Sequence, residues 1–390
     1  MPTNISLYRG GPAYLVWNAL TLKMREDWKI QNPDQFFDIP SATGIGASKG
    51  VADKMGKINF TPKIFLASLA AQLAAFVPTA YSSNLNCGQL LRPTSDLPAV
   101  IHARNGGTSN LGIAATAYAA MLSKLPVMTF APDKPLLGSI DLTYLQTLGS
   151  AVGDAASLFA TADGTYTEPA WTISDELFDR YTLKIGRTAT LTAAALINGS
   201  TAATCASTAL LIIGQGITGT GIPANITVAA IVSPTAFTLS AAATASNAGL
   251  TLTPAQITIV TDKDGITFTP EATLEWIKPS QEPTRDARLA KVAGHIEFRP
   301  HNMDIDEFYS TYFPEAAQVL GGSYEQYAGT QVNVTGTKTG SATLLIPLAT
   351  RSKSGHDFST KSPRTDKITL SAVDYNSAGT WQPLFTLGTV

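Results

Sequence analysis

Charge is scarce in this chain. Asp, Glu, Lys and Arg make up 14% of its 390 residues, against about a quarter in an ordinary globular domain. What charge there is nearly cancels, at a formal net of -2, which argues against tight charge-driven binding to nucleic acid or anionic lipid. Cysteine is almost absent: Cys87 and Cys205 are far apart and fit no C-x-x-C pattern, so neither a disulfide framework nor a structural zinc site is expected. The opening MPTNISLYRGGPAYLVW lacks the basic and apolar regions of a secretory signal. The most apolar stretch, IFLASLAAQLAAFV at 64–77, is too short to span a bilayer. These absences predict a soluble protein of a reducing compartment that does not insert into membranes.

The chain is not short of apolar residues, at 44%, and its length suits two or three domains of roughly 150 residues. One phrase occurs twice. KINFTP at 57–62 and HIEFRP at 295–300 share their Ile, Phe and Pro spacing, with Ile58 and Phe60 each 238 residues before Ile296 and Phe298. Each phrase is followed by a helical stripe, Phe65, Leu69, Leu73 and Phe76 after the first, and Ile305, Phe308, Tyr309, Tyr312 and Phe313 after the second. Thr61–Pro62 reads as an N-cap and first turn, and Asp304 with Glu307 as a capping box. Prolines close both stripes, Pro78 and Pro314. Further on, Asp133-Lys134 matches Asp366-Lys367 at an offset of 233, and Ile140 matches Ile368 at 228; upstream, LTLKMREDWKI matches ATLEWIKPSQE. Ordered matches with slowly drifting offsets predict an internal duplication. Ile58, Phe60, Ile296 and Phe298 would be core positions of the repeat. GIAATAYAAMLSKL at 112–125 is helical by propensity, but its counterpart TLLIPLAT reads as a strand, and the repeat favours the strand.

Between these copies lies a stretch of another character. From Thr188 to Thr261 there is no Asp, Glu, Lys, Arg or His, where the chain average would place about ten. Short β-branched runs between Gly, Pro and Asn turns predict a small β-sandwich inserted into the second copy's opening strands, since disorder prefers charge. The expected fold class is mainly β (α+β). Residues 1–180 form a first domain and 181–187 with 254–390 a second, each a β-sandwich or barrel flanked by one helix, with 188–253 the inserted module.

Motifs that suggest chemistry lack their context. GASKG at 46–50 fits the G-x-S-x-G elbow, but IPSATGI before it reads as loop, so Ser48 is no nucleophile. GQGITG at 214–219 fits a dinucleotide fingerprint, yet TGIPANITV follows it and the next acid is Asp262. His102, His295, His301 and His356 are scattered, without acids or cysteines at ligand spacing. The acidic pairs at 26–27 and 304–307 complete no constellation. No catalytic, cofactor-binding or metal site is expected, and no cofactor.

Several phrases are together similar to one family. RGGPAYLVWNALTLKMREDWKI resembles the opening strands of tail tube proteins from long-tailed, non-contractile bacteriophages, where Gly-Pro-Ala leads a strand that pairs with LTLK. LSKLPVMTFAPDKPLLGSIDLTYL resembles a later strand, Lys-x-Pro turn and Lys-Pro-x-x-Gly link, and HIEFRPHNM the strand entering the family's single helix. The likeness covers nearly all of 8–390 except the insert.

That resemblance implies a virion protein, assembled in the host cytoplasm, whose six-domain rings stack into a hollow tube carrying DNA to the cell. A duplicated chain resembles the variant with three two-domain subunits in a pseudo-six-fold ring. Its implied partners are further copies of itself, tape-measure, tail-tip and tail-terminator proteins, and double-stranded DNA that passes without tight binding. Ring closure would pair edge strands left bare in the subunit. The lumen is expected to carry Asp, Glu, Ser, Thr and Asn with few basic groups. The insert resembles small β modules on the outside of virion proteins, serving glycan contact or mere accretion. Phe36, Phe37, Ile39 and Met55, apolar positions in the Gly-rich loop 31–57, would contact the neighbouring ring. The competing class is a carbohydrate-binding tail fibre or adhesin, which should show exposed aromatics; the insert has only Phe237.

Overall fold

The fold was obtained as a computed structural model, which describes residues 13–17, 20–25, 28–31, 34–39, 48–65, 69–76, 90–91, 99–104, 111–117, 120–145, 159–165, 167–169, 177–277, 286–301, 303, 305–313, 329–351, 367–373, 375–377, 380–382 and 384–390. Among the described residues strand far outweighs helix, so the chain is mainly β.

In the first half, β1 (Ala13–Trp17) and β2 (Leu20–Lys23) make a hairpin with Trp17 opposite Leu20. Ala13, Leu15 and Trp17 are buried while Tyr14 and Val16 are half-buried, the period of a strand with one face in a core. Next come β3 (Lys29–Gln31), β4 (Asp34–Ile39) and the long β5 (Ser48–Phe60), then helix α1 (Leu69–Phe76). The half continues through β6 (Leu90–Leu91), β7 (Ala99–Arg104), β8 (Leu111–Ala117), β9 (Met121–Lys124), β10 (Met128–Phe130), β11 (Ile140–Leu145) and β12 (Phe159–Thr165). One sheet runs β12-β8-β7-β1-β2 and another β3-β5-β11-β9.

The second half opens with β13 (Tyr181–Ile185). After the insert follow β20 (Ile257–Ile259), β21 (Thr261–Ile277), β22 (Asp286–Pro300), α2 (Ile305–Tyr312), β23 (Gly329–Gly336), β24 (Ala342–Arg351), β25 (Ile368–Ala372), the hairpin β26 (Tyr375–Ser377) and β27 (Thr380–Gln382), and β28 (Thr386–Thr389). Its pairings read β28-β24-β23-β13-β20 and β21-β22-β25-β24. This is the order of the first half, with β24 running through both series where the first half has β8 and β9.

Registers agree as well as order. Phe60 faces Ile140 and Ile58 faces Leu142; Phe298 faces Ile368 and Ile296 faces Leu370. On the other side Ile30 faces Ile58 and Phe268 faces Ile296. Ile58, Phe60, Ile296 and Phe298 are at most 1% exposed. The stretch 112–125 contributes β8 and β9: its alanines favour helix, but β8 gains six successive pairings with β7, and such tertiary pairing overrides a weak propensity.

Three expectations need correction. The upstream match of LTLKMREDWKI with ATLEWIKPSQE has the wrong register, because Ile30 and Phe268 occupy equivalent places, 238 apart, whereas Trp276 lies further out, opposite Ala287. The chain after Pro62 does not begin a helix. Arg25 donates to the Thr61 carbonyl and Lys63 to the Lys23 carbonyl, so residues 61–63 extend a strand ladder and α1 starts at Leu69. The described parts of 31–57 are not loop but strand, β4 folding along β5 with Phe36 opposite Val51 and Ile39 opposite Ser48. Glycine weakens a strand interior, but the base of β5 is already fixed in the sheet, so the arm continues an existing ladder in which each further pair satisfies its backbone groups. The second half has the same kind of arm, β21 and β22 pairing out to Ile277 and Asp286. The Asp304 capping box lies outside the described residues.

Buried side chains of both halves form one apolar cluster, from Leu15, Ile101 and Leu142 to Leu183, Val334 and Phe308. Helix α2 is fixed to it through Phe308, whose ring meets Phe298 edge-on at 5.5 Å. The Tyr309 hydroxyl exchanges hydrogen bonds with the backbone N–H and carbonyl of Thr369, both at 3.2 Å. The Arg351 guanidinium lies 4.4 Å over the Tyr309 ring.

The insert comprises β14 (Leu191–Leu196), β15 (Ala202–Thr204), β16 (Gly216–Thr218), β17 (Val228–Ser233), β18 (Ala236–Leu239) and β19 (Asn247–Ala255), in the order β16-β19-β14-β15-β18-β17. The outer strands meet: Ile217 donates to the Ile226 carbonyl, Val228 to that of Gln215, and Gly214 to that of Val228. The two faces therefore close around a separate core of Leu191, Leu196, Val228, Phe237, Leu239 and Leu252. Closure explains how so neutral a module avoids exposing a bare edge.

Candidate functional site

The sequence offered no catalytic constellation. His102 stacks on Tyr14 at 4.7 Å, His295 Nδ1 lies 3.9 Å from Glu271 Oε1, His301 is exposed, and His356 lies outside the described residues. Among the described residues no group of three His, Cys, Asp or Glu side chains is placed to hold a metal. Ser48 begins β5 opposite Ile39 and sits on no strand-to-helix elbow. In GQGITG, Gly214 takes φ +84° in a turn, and Gly216 enters a strand instead of a helix. Gln215 is wholly buried; its Nε2 donates to the Arg187 carbonyl at 2.6 Å. Cys205 is buried in the insert, where burial pushes its thiol up; Cys87 lies outside the described residues. No helix among the described residues is long and apolar enough to cross a membrane.

What the fold does display is a set of joining surfaces. The first joins the halves. β10 adds antiparallel to the edge of β21, Met128 opposite Phe268, Thr129 opposite Thr267 and Phe130 opposite Ile266. β6 adds further along β22, Leu91 opposite Ala287. Phe130 packs edge-on against Tyr181 at 5.1 Å, and Lys134 reaches the Asp264 carboxylate at 3.6 Å. Gly265, at φ +74°, is required here: a Cβ would strike the Phe130 carbonyl and come within 2.7 Å of the Ala131 Cβ. Sequence reading missed this joint, whose one local signal was Gly265, which lies where the β21–β22 register shifts.

The second is the junction of the insert. Ile185 faces Ile257 as Trp17 faces Leu20 in the first half, so the insert stands where the first-half sequence has only two residues between the paired positions. Arg187 binds the insert from its neck, its Nη1 donating to the Ser207 and Ala209 carbonyls at 2.9 and 3.0 Å and its Nη2 to that of Thr190 at 3.0 Å. Thr330 donates to the Leu210 carbonyl at 3.2 Å, and Ile212 reaches the main core. The insert is docked, not merely tethered.

The β4–β5 arm carries the positions of Phe36, Phe37, Ile39 and Met55. The structure puts the first three on the two-stranded arm and Met55 at its base, opposite Leu145. Just before β13, Asp179 clasps the β23–β24 turn, accepting from the Thr337 hydroxyl at 2.6 Å and from the backbone N–H groups of Arg180 and Lys338 at 2.7 and 3.0 Å. Burial alone would raise its carboxyl; these hydrogen bonds and the Ser341 hydroxyl outweigh it and hold it below the usual range. Beside it, burial, strengthened by the Asp179 charge and only partly offset by Ser341, pushes the Tyr181 phenol up to about 12.

No known family matches the chain, and no curated protein is similar to it.

Proposed function

We propose that the chain is a structural virion protein that polymerises into stacked rings, three two-domain subunits to a ring, and so builds the tube through which a long-tailed phage passes its genome. The observation that carries the reading is the recurrence of one strand order in both halves, joined by strand addition of β10 onto β21. Two equivalent units linked edge to edge within a chain are what a ring of such units needs; a compact enzyme gains nothing from them. Residues 1–180 supply one unit, and 181–187 with 254–390 the other, with 188–253 held on the outside.

The arms fit contacts between rings, with Phe36, Phe37, Ile39 and Met55 supplying apolar area. The sparse, balanced charge suits a channel wall that does not hold DNA, because few lysines means few counterions to release. Electron microscopy of the concentrated protein tests the reading: hollow tubes of uniform bore are expected, and compact closed particles without a channel would overturn it.

A further inference from the structure

We infer that β12 is a docking site for a second copy of this chain, whose α2 packs along it as α1 packs along β28 within the chain; this rests on the ring-forming reading. The registers make β12 and β28 counterparts. Leu15, Ile101, Ala115 and Phe159 are successive partners across the first sheet. Leu183, Val334, Leu344 and Leu387 are successive partners across the second. Leu15 matches Leu183 because each stands two residues before a matching pair, Trp17 with Leu20 and Ile185 with Ile257. Phe159 therefore holds the place of Leu387, and among the described residues β12 and β28 each pair with one strand and end their sheets.

The two edges differ in what covers them. α1, from the first half, lies along β28. Its Leu69 and Leu73 are buried in the main core, against which Leu387 of β28 also packs. A helix laid over an edge strand keeps a sheet from pairing further. Among the described residues no helix lies along β12 in this way. The helix that matches α1 is α2: both are eight residues long, and each follows the strand carrying the repeated Ile and Phe. Phe308 and Tyr309 fix α2 to its own half, but among the described residues no strand of the first half runs beside it as β28 runs beside α1. The acids of α2 do not oppose the contact. With the two helices aligned end to end, Asp306 and Glu307 take the places of Ala70 and Ala71, which stay exposed with β28 alongside. Each chain thus has an edge whose counterpart is covered by a helix of the other half, and a helix whose counterpart covers such an edge. A further copy supplies both, α2 of one chain meeting β12 of the next. Such a joint is head-to-tail, and a head-to-tail joint that rotates by a fixed angle closes into a ring.

Hydrogen exchange, compared between the dissociated subunit and its rings, tests the contact. On assembly the amides of Phe159–Thr165 and Ile305–Tyr312 should exchange about tenfold or more slowly. Those of Leu69–Phe76 and Thr386–Thr389, already side by side within the chain, should keep their rates. Phe159→Asp, which places a charge in the contact, should raise the concentration needed for assembly about tenfold or more, with the melting of the unassembled subunit as a check on folding. Rings whose formation leaves the exchange of β12 and α2 unchanged would overturn the joint and leave the ring-forming reading standing. So would a folded Phe159→Asp subunit that assembles as the wild type does. A wild-type chain that never associates would overturn both.

Discussion

Phe298 lies directly across an antiparallel pair from Ile368, with neither side chain more than 1% exposed. The same relation joins Phe60 to Ile140 in the other half. Each pair ties the strand next to its helix to a strand from far along the chain, so each is a keystone of its half. Phe298→Ala should cost about 3–5 kcal/mol, as large-to-small changes in cores do, and Phe60→Ala a similar amount. Urea unfolding midpoints measure both.

The insert should be dispensable for folding. Replacing residues 186–256 with Asn-Gly would rebuild a two-residue hairpin between Ile185 and Ile257. The main core then loses Ile212, worth about 1.5–3 kcal/mol. The shortened chain is expected to melt cooperatively and to retain assembly; loss of assembly would show that the insert lies at a contact.

Gly265→Ala should loosen the joint between halves, since the added methyl meets the Phe130 carbonyl on a backbone of positive φ. The expected loss is about 1–3 kcal/mol, and hydrogen exchange should quicken at Met128–Phe130 before it quickens in β13 or β23.

Asp179 makes stability depend on acid. Its folded-state pKa lies below that of the unfolded chain, so its contribution is full above roughly pH 4 and is lost as pH falls through the lowered value. The stability difference between wild type and Asp179→Asn should be widest near neutrality and shrink in acid. Denaturant titrations at several pH values read this directly, and a difference that stayed constant would contradict it.

Shortening the β4–β5 arm to a turn, by replacing residues 34–53 with Asn-Gly, should leave the subunit folded because β3 keeps its partners Asn59, Ile58 and Lys57. Tube growth should stop, and tubes of normal length from the shortened chain would remove the arm from the contact between rings.

Much of the architecture was legible because hydrophobic spacing is local. INF and IEF each fix which alternate residues are buried, and the strand carried by the alanine-rich 112–125 followed from its counterpart despite its helical propensity. The insert's composition marked it at once. What could not be read was long-range or backbone-made: the arm hidden in a Gly-rich segment, the ladder that draws residues 61–63 away from α1, and the meeting of β10 with β21. Those depend on which edges the rest of the fold leaves open, and no short window of sequence carries that. The absence of a catalytic motif likewise left function to surfaces, whose signals lie in pairing and charge.

The most direct test is the rotational symmetry of the purified protein's rings seen end-on by electron cryomicroscopy. Three subunits giving six similar lobes around an open channel, with three extra densities outside for the inserts, is the expected result. Closed particles without a channel, or rings whose lobes do not number two per chain, would contradict it.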